Sequence, residues 1–408
     1  VRFSLGVNYL PRRSGLEMWR RFDAGEIRDD FAHVAALGLD TVRVFLRWSD
    51  FQPEPGHADD AMLARFETLL GCAADTGLRV LATLFCGRLD GANHLPAWAL
   101  DRDLYRGPLL DAQVFFARIA GECVRDHPAL FAWDIGNAFS SVREPSRKRV
   151  SSGEHSTEPA DERDVAAWAA RLAETLRERS GRPSTAGTDA ADLTEDRGVR
   201  LGTLCARFAF ASMQGETVSL SFARNRLDPD AVPFLAALAA SFSYKPILVT
   251  AFGNPTCPSG KFTAFERFAL ANEAPNVSIS PDDGVFATYP CLSEDENAAY
   301  CTNVLERLHA DGRLGAFWWR WSDADADPAG DAHAGSYGIV RADGSAKPVA
   351  AALKAFAAER REVVDADDMT MIAAAYYYRT LPTSTRTLYE AFLRFAAERR
   401  AHGANRTA

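Results

Sequence analysis

Eight strand-like segments, each followed by a helix-like one, predict an α/β fold: a (β/α)8 barrel with enlarged βα loops and a helical C-terminal tail. Three observations carry this expectation. Runs such as Thr41–Trp48 and Pro246–Thr250 are mostly apolar, as strands covered by helices on the outside should be. The stretches between them place apolar residues three and four apart, the spacing of an amphipathic helix. No Gly-x-Gly-x-x-Gly or P-loop sequence opens a helix, which removes the main signal for a doubly wound open sheet.

In chain order, Phe3 to Tyr9 reads as the first strand, ending at Pro11. Asp23 is placed to cap a helix whose face is Ile27, Phe31, Val34 and Leu37, stopped by Gly38. Thr41–Trp48 is the second strand, and a helix from about Asp60 follows through Leu63, Phe66, Leu69, Leu70 and Ala73. Gly77 breaks that helix, and Leu78–Phe85 is the third strand. A helix through Val114, Phe115, Ile119 and Cys123 leads to His127–Ser140, where Leu130–Trp133 is a short buried strand and Gly136-Asn137 turns the chain out.

Ser140–Asp161 is polar and charged, and reads as a long exposed loop or a partly disordered insertion. A helix with Val165, Trp168, Leu172 and Leu176 precedes a weak fifth strand at Pro183–Gly187. Arg207–Ser212 is the candidate sixth strand, Asp230–Phe242 the next helix and Pro246–Thr250 the seventh strand. Ser293 caps a helix through Val304 and Leu308, Gly315–Trp319 is the eighth strand, and Ala346–Glu362 the closing helix. Residues 1–362 thus form the expected barrel. Residues 363–408 form the expected tail, with Leu388, Phe392 and Phe395 at helical spacing.

The 408 residues are 47% hydrophobic and 25% charged, which provides for a substantial core. A net charge of −9 argues against nucleic acid or an anionic membrane as partner. No apolar run approaches the ~18 residues of a membrane-spanning helix. The seven cysteines are scattered, without a CxxC, which fits reduced thiols in a cytoplasmic protein; one pair, Cys257 with Cys291, stays open. No signal peptide is visible, but the chain begins at Val1, so a trimmed leader and secretion stay open as well. His33, His57 and His309 read as surface or helix-face residues, and no histidine or cysteine spacing suggests a metal.

Six stretches fall at the C-terminal ends of predicted strands: GVNYLPRR, DTVRVFLRWSDFQPEPG, GANHLPAW, HPALFAWDIGN, KPILVTAFGNPTCPSG and GAFWWRWSD. In this order they resemble glycoside hydrolase family 5 and the wider clan A of retaining β-glycosidases, nearest the bacterial cellulase- or β-mannosidase-like branch. The resemblance covers nearly the whole barrel. It implies hydrolysis of a β-linked glycoside by double displacement, a carbohydrate partner and no cofactor, although it speaks for fold more than for activity.

That chemistry needs two carboxyl groups about 5–5.5 Å apart, one as acid/base and one as nucleophile. By resemblance they belong after strand four and at the end of strand seven. Here those positions read Asn137-Ala138 and Thr250-Ala251-Phe252-Gly253. Alanine neither exchanges a proton nor attacks carbon. Two explanations stand: introduced substitutions that silence a hydrolase, or a natural pseudo-glycosidase. Other departures lean toward the second. The strand-six region, where the family often has His-x-Tyr, reads Met213-Gln214-Gly215-Glu216-Thr217; Arg88 replaces a glycine-flanked histidine; and His333-Ala334 stands where close relatives would have His-Glu. Either way, a carbohydrate-binding protein is expected, with a non-hydrolytic scaffold as the alternative.

Relocated chemistry is the further alternative, drawing on the acids Glu216, Asp90, Asp134 and Asp323 near strand ends; the bland reading of Glu216 is a partner for Arg88 or Arg43. Arg43 matches the family's strand-two arginine. Without a nucleophile beside it, Arg43 should find another acid or an anion, a barrel-interior pair being the structural option. Asn137 matches the asparagine that binds a sugar hydroxyl, or is a turn residue. Trp318 matches the aromatic floor, and alternation lets only one of Trp318 and Trp319 face inward. Trp48 is a substrate-side candidate, although Trp48, Trp98 and Trp133 fit core positions as well. His94 either lines the mouth or caps local backbone. Large loops after strands three, four and seven suggest a pocket and exo-type ancestry.

Overall fold

The computed structural model describes residues 1–86, 88–89, 92–100, 103–140, 160–217, 220–256, 292–324, 335–359, 361–366 and 373–407, with backbone alone at 88, 92, 93 and 401–407. Eight parallel strands close into a barrel: β1 (Ser4–Asn8), β2 (Thr41–Phe45), β3 (Arg79–Cys86), β4 (Leu130–Asn137), β5 (Ser184–Thr188), β6 (Ala211–Gln214), β7 (Ile247–Phe252) and β8 (Gly315–Trp318). Their order around the barrel is sequential, and β8 pairs with β1. The expected fold class is therefore the observed one.

The surrounding helices are α1 (Ala24–Ala36), α2 (Asp60–Asp75), α3 (Gly107–Cys123), α4 (Glu162–Ser180), α5 (Leu201–Leu204), α6 (Ala231–Ser243), α7 (Glu294–Ala310) and α8 (Pro348–Ala358). Their ends follow local chemistry. Asp23 accepts from the amides of Gly25 and Glu26 and starts α1. Ser293 and Glu296 form a reciprocal capping box at α7. Gly181, at φ +68°, ends α4 in the left-handed conformation.

Alternation along the strands separates two cores. Val42, Val44, Val80 and Val249 face the helices and join Phe31, Phe66 and Phe116 in the outer core. Inside the barrel, Leu81, Ala132, Leu248 and Phe317 form a lower apolar layer with Phe210. Polar side chains of Asn8, Arg43, Thr83 and Asp134 lie above it, all fully buried. A second apolar layer closes over these polar groups.

Several boundaries differ from expectation. The second strand ends at Phe45, and Trp48–Phe51 is a short helix, because the chain turns outward there with the Nε1 of Trp48 donating to Oε1 of Gln52. The fourth strand runs on past Trp133 to Asn137, carrying Asp134 into the barrel. The sixth begins at Ala211, since Cys205–Arg207 forms a 3-10 turn. The long polar loop, 141–159, lies outside the described residues, as do Cys257 and Cys291; Cys72, Cys86, Cys123, Cys205 and Cys301 are free thiols.

The C-terminal segment forms α9 (Ala374–Arg379) and α10 (Thr383–Thr407). It lies on the barrel's outer wall through aromatic contacts. The Tyr389 ring meets Phe222 at 5.0 Å and Phe234 at 5.1 Å, and Phe392 meets Phe234 at 5.6 Å. The hydroxyls of Tyr377 and Tyr378 donate to the carbonyls of Leu193 and Asp192, both at 2.9 Å. No described helix is long and apolar enough to cross a membrane.

Candidate functional site

The barrel mouth is built from residues at the C-terminal ends of the strands, the position where barrel enzymes carry their chemistry. Leu10, Phe45, Cys86, Leu89, Ala251, Trp319 and Tyr337 form one apolar cluster there, each at most 7% exposed. Phe45 and Trp319 meet edge to face with ring centroids 6.0 Å apart. Ala251, fully buried, belongs to this layer. Burial pushes the Cys86 thiol up to about 12, so it behaves as a small apolar side chain rather than a nucleophile.

Beneath this layer Arg43 finds its acid. Its Nε donates to Asp134 Oδ2 at 3.1 Å and to Thr83 Oγ1 at 3.0 Å, its Nη2 also reaches Asp134, and its Nη1 donates to Asn8 Oδ1 at 3.3 Å. Thr83 donates to the same carboxylate oxygen at 3.1 Å. The other face of Asn8 donates to the carbonyls of Thr250 and Trp318, at 2.9 and 3.0 Å. Burial raises the Asp134 carboxyl from its ordinary range, and the Arg43 guanidinium opposes that rise. The guanidinium carbon also sits 4.8 Å from the Phe45 ring centroid, which joins the polar layer to the apolar one above it.

The two alanines end different strands. Ala138 follows β4 directly, half-buried, with φ +45°. Ala251 lies within β7, opposite Gln214 of β6, and its carbonyl accepts from the amide of Gly215. Asn137 is buried at the end of β4, between Cys86 of β3 and Gly187 of β5. The side chain after β6, Glu216, is half-buried and accepts from the Tyr337 hydroxyl at 3.2 Å. Tyr337 is fixed in turn by its carbonyl, which accepts from Trp318 Nε1 at 2.8 Å.

Several sequence candidates have other places. Trp318 faces the outer core rather than the mouth: its ring meets Phe252 at 5.2 Å and lies within 3.2 Å of where a side chain on Gly253 would begin. Gly253, at φ +137°, is therefore needed for β7 to leave over that ring. Trp319, one residue on, takes the mouth position. Trp48 is enclosed between Phe85, at 4.8 Å, and Trp98, at 5.4 Å, and lies in the outer core. Arg43 and Asp134 satisfy each other inside the barrel, both wholly buried. Asp323 pairs with the buried Lys347 at 2.8 Å and accepts from the amide of Gly338, holding the loop after β8. Burial raises the Asp323 carboxyl and lowers the Lys347 ammonium, each opposed by the other.

His94 shares a bond with the Leu89 carbonyl at 3.1 Å, the backbone-capping option. Glu216 is not among the partners of Arg43. Asp90, the Arg88 side chain, His333 and Ala334 lie outside the described residues. Sequence reasoning missed Leu10, Phe45, Cys86 and Tyr337. Counting inward positions from Arg43 does place Phe45 at the mouth, but Tyr337 arrives on a loop, with no period to reveal it. Among the described residues, no group of three or more His, Cys, Asp or Glu side chains could hold a metal ion.

No family model and no curated protein matches the sequence. Solved structures do match. A glutamate-to-alanine variant of GH5_18 from Streptomyces cattleya, in complex with Manβ1-4GlcNAc, superposes with a TM-score of 0.76 at 20% identity, covering 97% of this chain and 92% of the other. A similar variant of GH5_18 from Bifidobacterium longum subsp. longum, also with Manβ1-4GlcNAc, gives 0.71 at 19% identity over 90% of this chain and 80% of the other. An exo-β-1,4-mannosidase from Opitutaceae bacterium strain TAV5 gives 0.69 at 24% identity over 88% of this chain and 60% of the other. The chain thus has the (β/α)8 fold of the glycoside hydrolase family 5 β-glycosidases.

Proposed function

We propose that this protein is a carbohydrate-binding barrel of the retaining β-glycosidase type that does not hydrolyse its ligand. One observation carries the reading: alanines hold the ends of β4 and β7, and the β7 alanine is packed in an apolar layer with Phe45 and Trp319. Double displacement needs a proton donor and a nucleophile on opposite sides of the glycosidic bond. A methyl group supplies neither. Glu216 accepts from the Tyr337 hydroxyl at the mouth, and a single carboxyl supplies only one of the two roles.

Carbohydrate binding is supported by the sugar complexes of the structures that share the fold, with Manβ1-4GlcNAc and with GlcNAc. Calorimetric titration with Manβ1-4GlcNAc, GlcNAc and a β-mannobiose tests the ligand. An aryl β-mannoside tests the chemistry. Saturable binding without aryl release is expected. Turnover would overturn the non-hydrolytic reading, and no heat with any sugar would overturn the carbohydrate one. The latter result would favour a scaffold, a reading to which the closed apolar layer at the mouth also lends support.

A further inference from the structure

A second candidate site lies at the other end of the barrel from Ala138 and Ala251. A cavity of about 830 Å3 opens between α4, the segment Gly181–Ser184 that leads into β5, and Ala206–Ala209 ahead of β6. Four arginines line it, Arg171, Arg177, Arg182 and Arg207, with one acid, Glu174. In a chain of net charge −9 this is a local excess of cations. Its floor includes the buried Phe208. The volume suits a small organic ligand.

Two of the arginines have local roles. Arg177 is in the last turn of α4, where a cation complements the helix's C-terminal carbonyls. Arg182 donates from Nη2 to the carbonyls of Asp126 and His127, at 3.2 and 2.8 Å, while its Nε is buried without a partner. Arg171 and Arg207 do neither. Among the described residues neither guanidinium has an ion-pair partner, although Glu174 lines the same cavity. Unpaired guanidinium groups around an apolar floor are suited to an oxyanion joined to an apolar body: the planar fork takes two oxygens at once, and the ring surface shelters the rest.

We propose that this cavity binds a small phosphate ester with a planar or apolar body, its phosphoryl group held by Arg171 and Arg207 and its body resting over Phe208. Phosphate is the anion of choice because it offers a doubly charged group with enough oxygens for two forks. The proposal is independent of the mouth and of its ligand.

Calorimetry on the full chain at low ionic strength tests it, with phenyl phosphate and inorganic phosphate as probes. Phenyl phosphate should bind saturably and more tightly than inorganic phosphate. The double variant Arg171→Ala/Arg207→Ala should weaken binding by roughly tenfold or more. Glu174→Gln, which removes the one acid, should tighten it by roughly two- to fivefold. All three side chains are exposed, so an unchanged thermal unfolding curve separates lost binding from a lost fold. The proposal is overturned if phenyl phosphate does not saturate, if the double variant binds as the parent does, or if inorganic phosphate binds as tightly as the ester.

Discussion

Arg43 of β2 and Asp134 of β4 meet in the middle of the barrel, both wholly shielded from water, and each is the other's counter-charge. The strand between them supplies Thr83, and the strand before them supplies Asn8, so four strands share one polar network. A buried pair of this kind contributes little net stability, because desolvation offsets attraction, but removing one partner strands a charge. Asp134→Ala should therefore lower the unfolding free energy by about 3–5 kcal/mol in a urea titration. The double variant Arg43→Met/Asp134→Leu should lose clearly less than Asp134→Ala alone. Equal losses in the single and double variants would show that packing, and not the uncompensated charge, sets the effect.

Introducing glutamates at positions 138 and 251 should not produce hydrolysis. Ala251→Glu would bury a carboxylate among Phe45, Cys86 and Trp319, directly above an arginine already engaged by Asp134. The expected loss is about 3 kcal/mol or more of stability, with the new carboxyl raised by burial. Ala138 is half-buried, so Ala138→Glu should change stability by only about 1 kcal/mol. The double variant should stay inert toward an aryl β-mannoside, and measurable turnover would show that the apolar layer opens to admit substrate. The backbone at Ala138 gives an independent check. Its φ of +45° is unfavourable for any residue with a Cβ, so Ala138→Gly should gain about 0.5–1 kcal/mol in the same titration.

What was legible in the sequence, and what was not, follows from which interactions are local. Strand and helix periods are local, and they placed the eight strands, seven of the barrel helices and the helical tail; α5, only four residues long, is too short to show a period. The strand-end places of Ala138 and Ala251 were legible because each lies in a short motif where an apolar run stops. The Arg43–Asp134 pair was only half legible: Arg43 plainly needed an acid. Choosing Asp134 over Glu216 depends on the register that sets Arg43 against Leu81 and Thr83 against Asp134. Trp318 and Trp319 differ by one residue, and a one-residue difference exchanges the inner and outer faces of a strand. Trp48 was misplaced because β2 ends three residues earlier than its apolar run suggests. Tyr337 reaches the mouth on a loop, where sequence has no period to offer.

The fully buried Asp192 should make stability depend on pH in an identifiable way. Burial, and the neighbouring Asp189 carboxylate, push its carboxyl up to about 8, against 3.8 for an ordinary aspartate. The folded chain then holds a proton that the unfolded chain has released. Stability from this group is present below the unfolded value and is lost as pH rises through the folded one, between about pH 4 and 8. Asp192→Asn keeps an acceptor for the amide of Asp189, which now bonds Oδ2 at 3.1 Å, and removes the titration. The urea midpoint of Asp192→Asn should fall less than the parent's between pH 5 and 8, leaving the variant relatively more stable at the alkaline end. Parallel profiles would show that Asp192 keeps its charge in the fold.

The tail should be part of the barrel's stability rather than a detachable appendage. Tyr389 is 2% exposed, with its ring against Phe222 and Phe234 and its hydroxyl donating to Asp228 Oδ2 at 2.5 Å. Burial and that bond raise its phenol well above the ordinary range, so the donor stays protonated throughout the physiological span. Around it, Arg224 pairs with Asp228 and Asp230, and Arg400 reaches Asp230 at 3.1 Å. Tyr389→Phe removes only the hydroxyl and leaves a buried carboxylate short of one donor, for an expected loss of about 1–3 kcal/mol. Tyr389→Ala also empties an aromatic site between two phenylalanines, for about 3–5 kcal/mol. Both should unfold in a single transition, because residue 389 packs into the same contiguous core as the outer barrel residues. A first transition that moves in Tyr389→Ala while a second keeps the parent's midpoint would instead mark residues 363–408 as a separately folding unit.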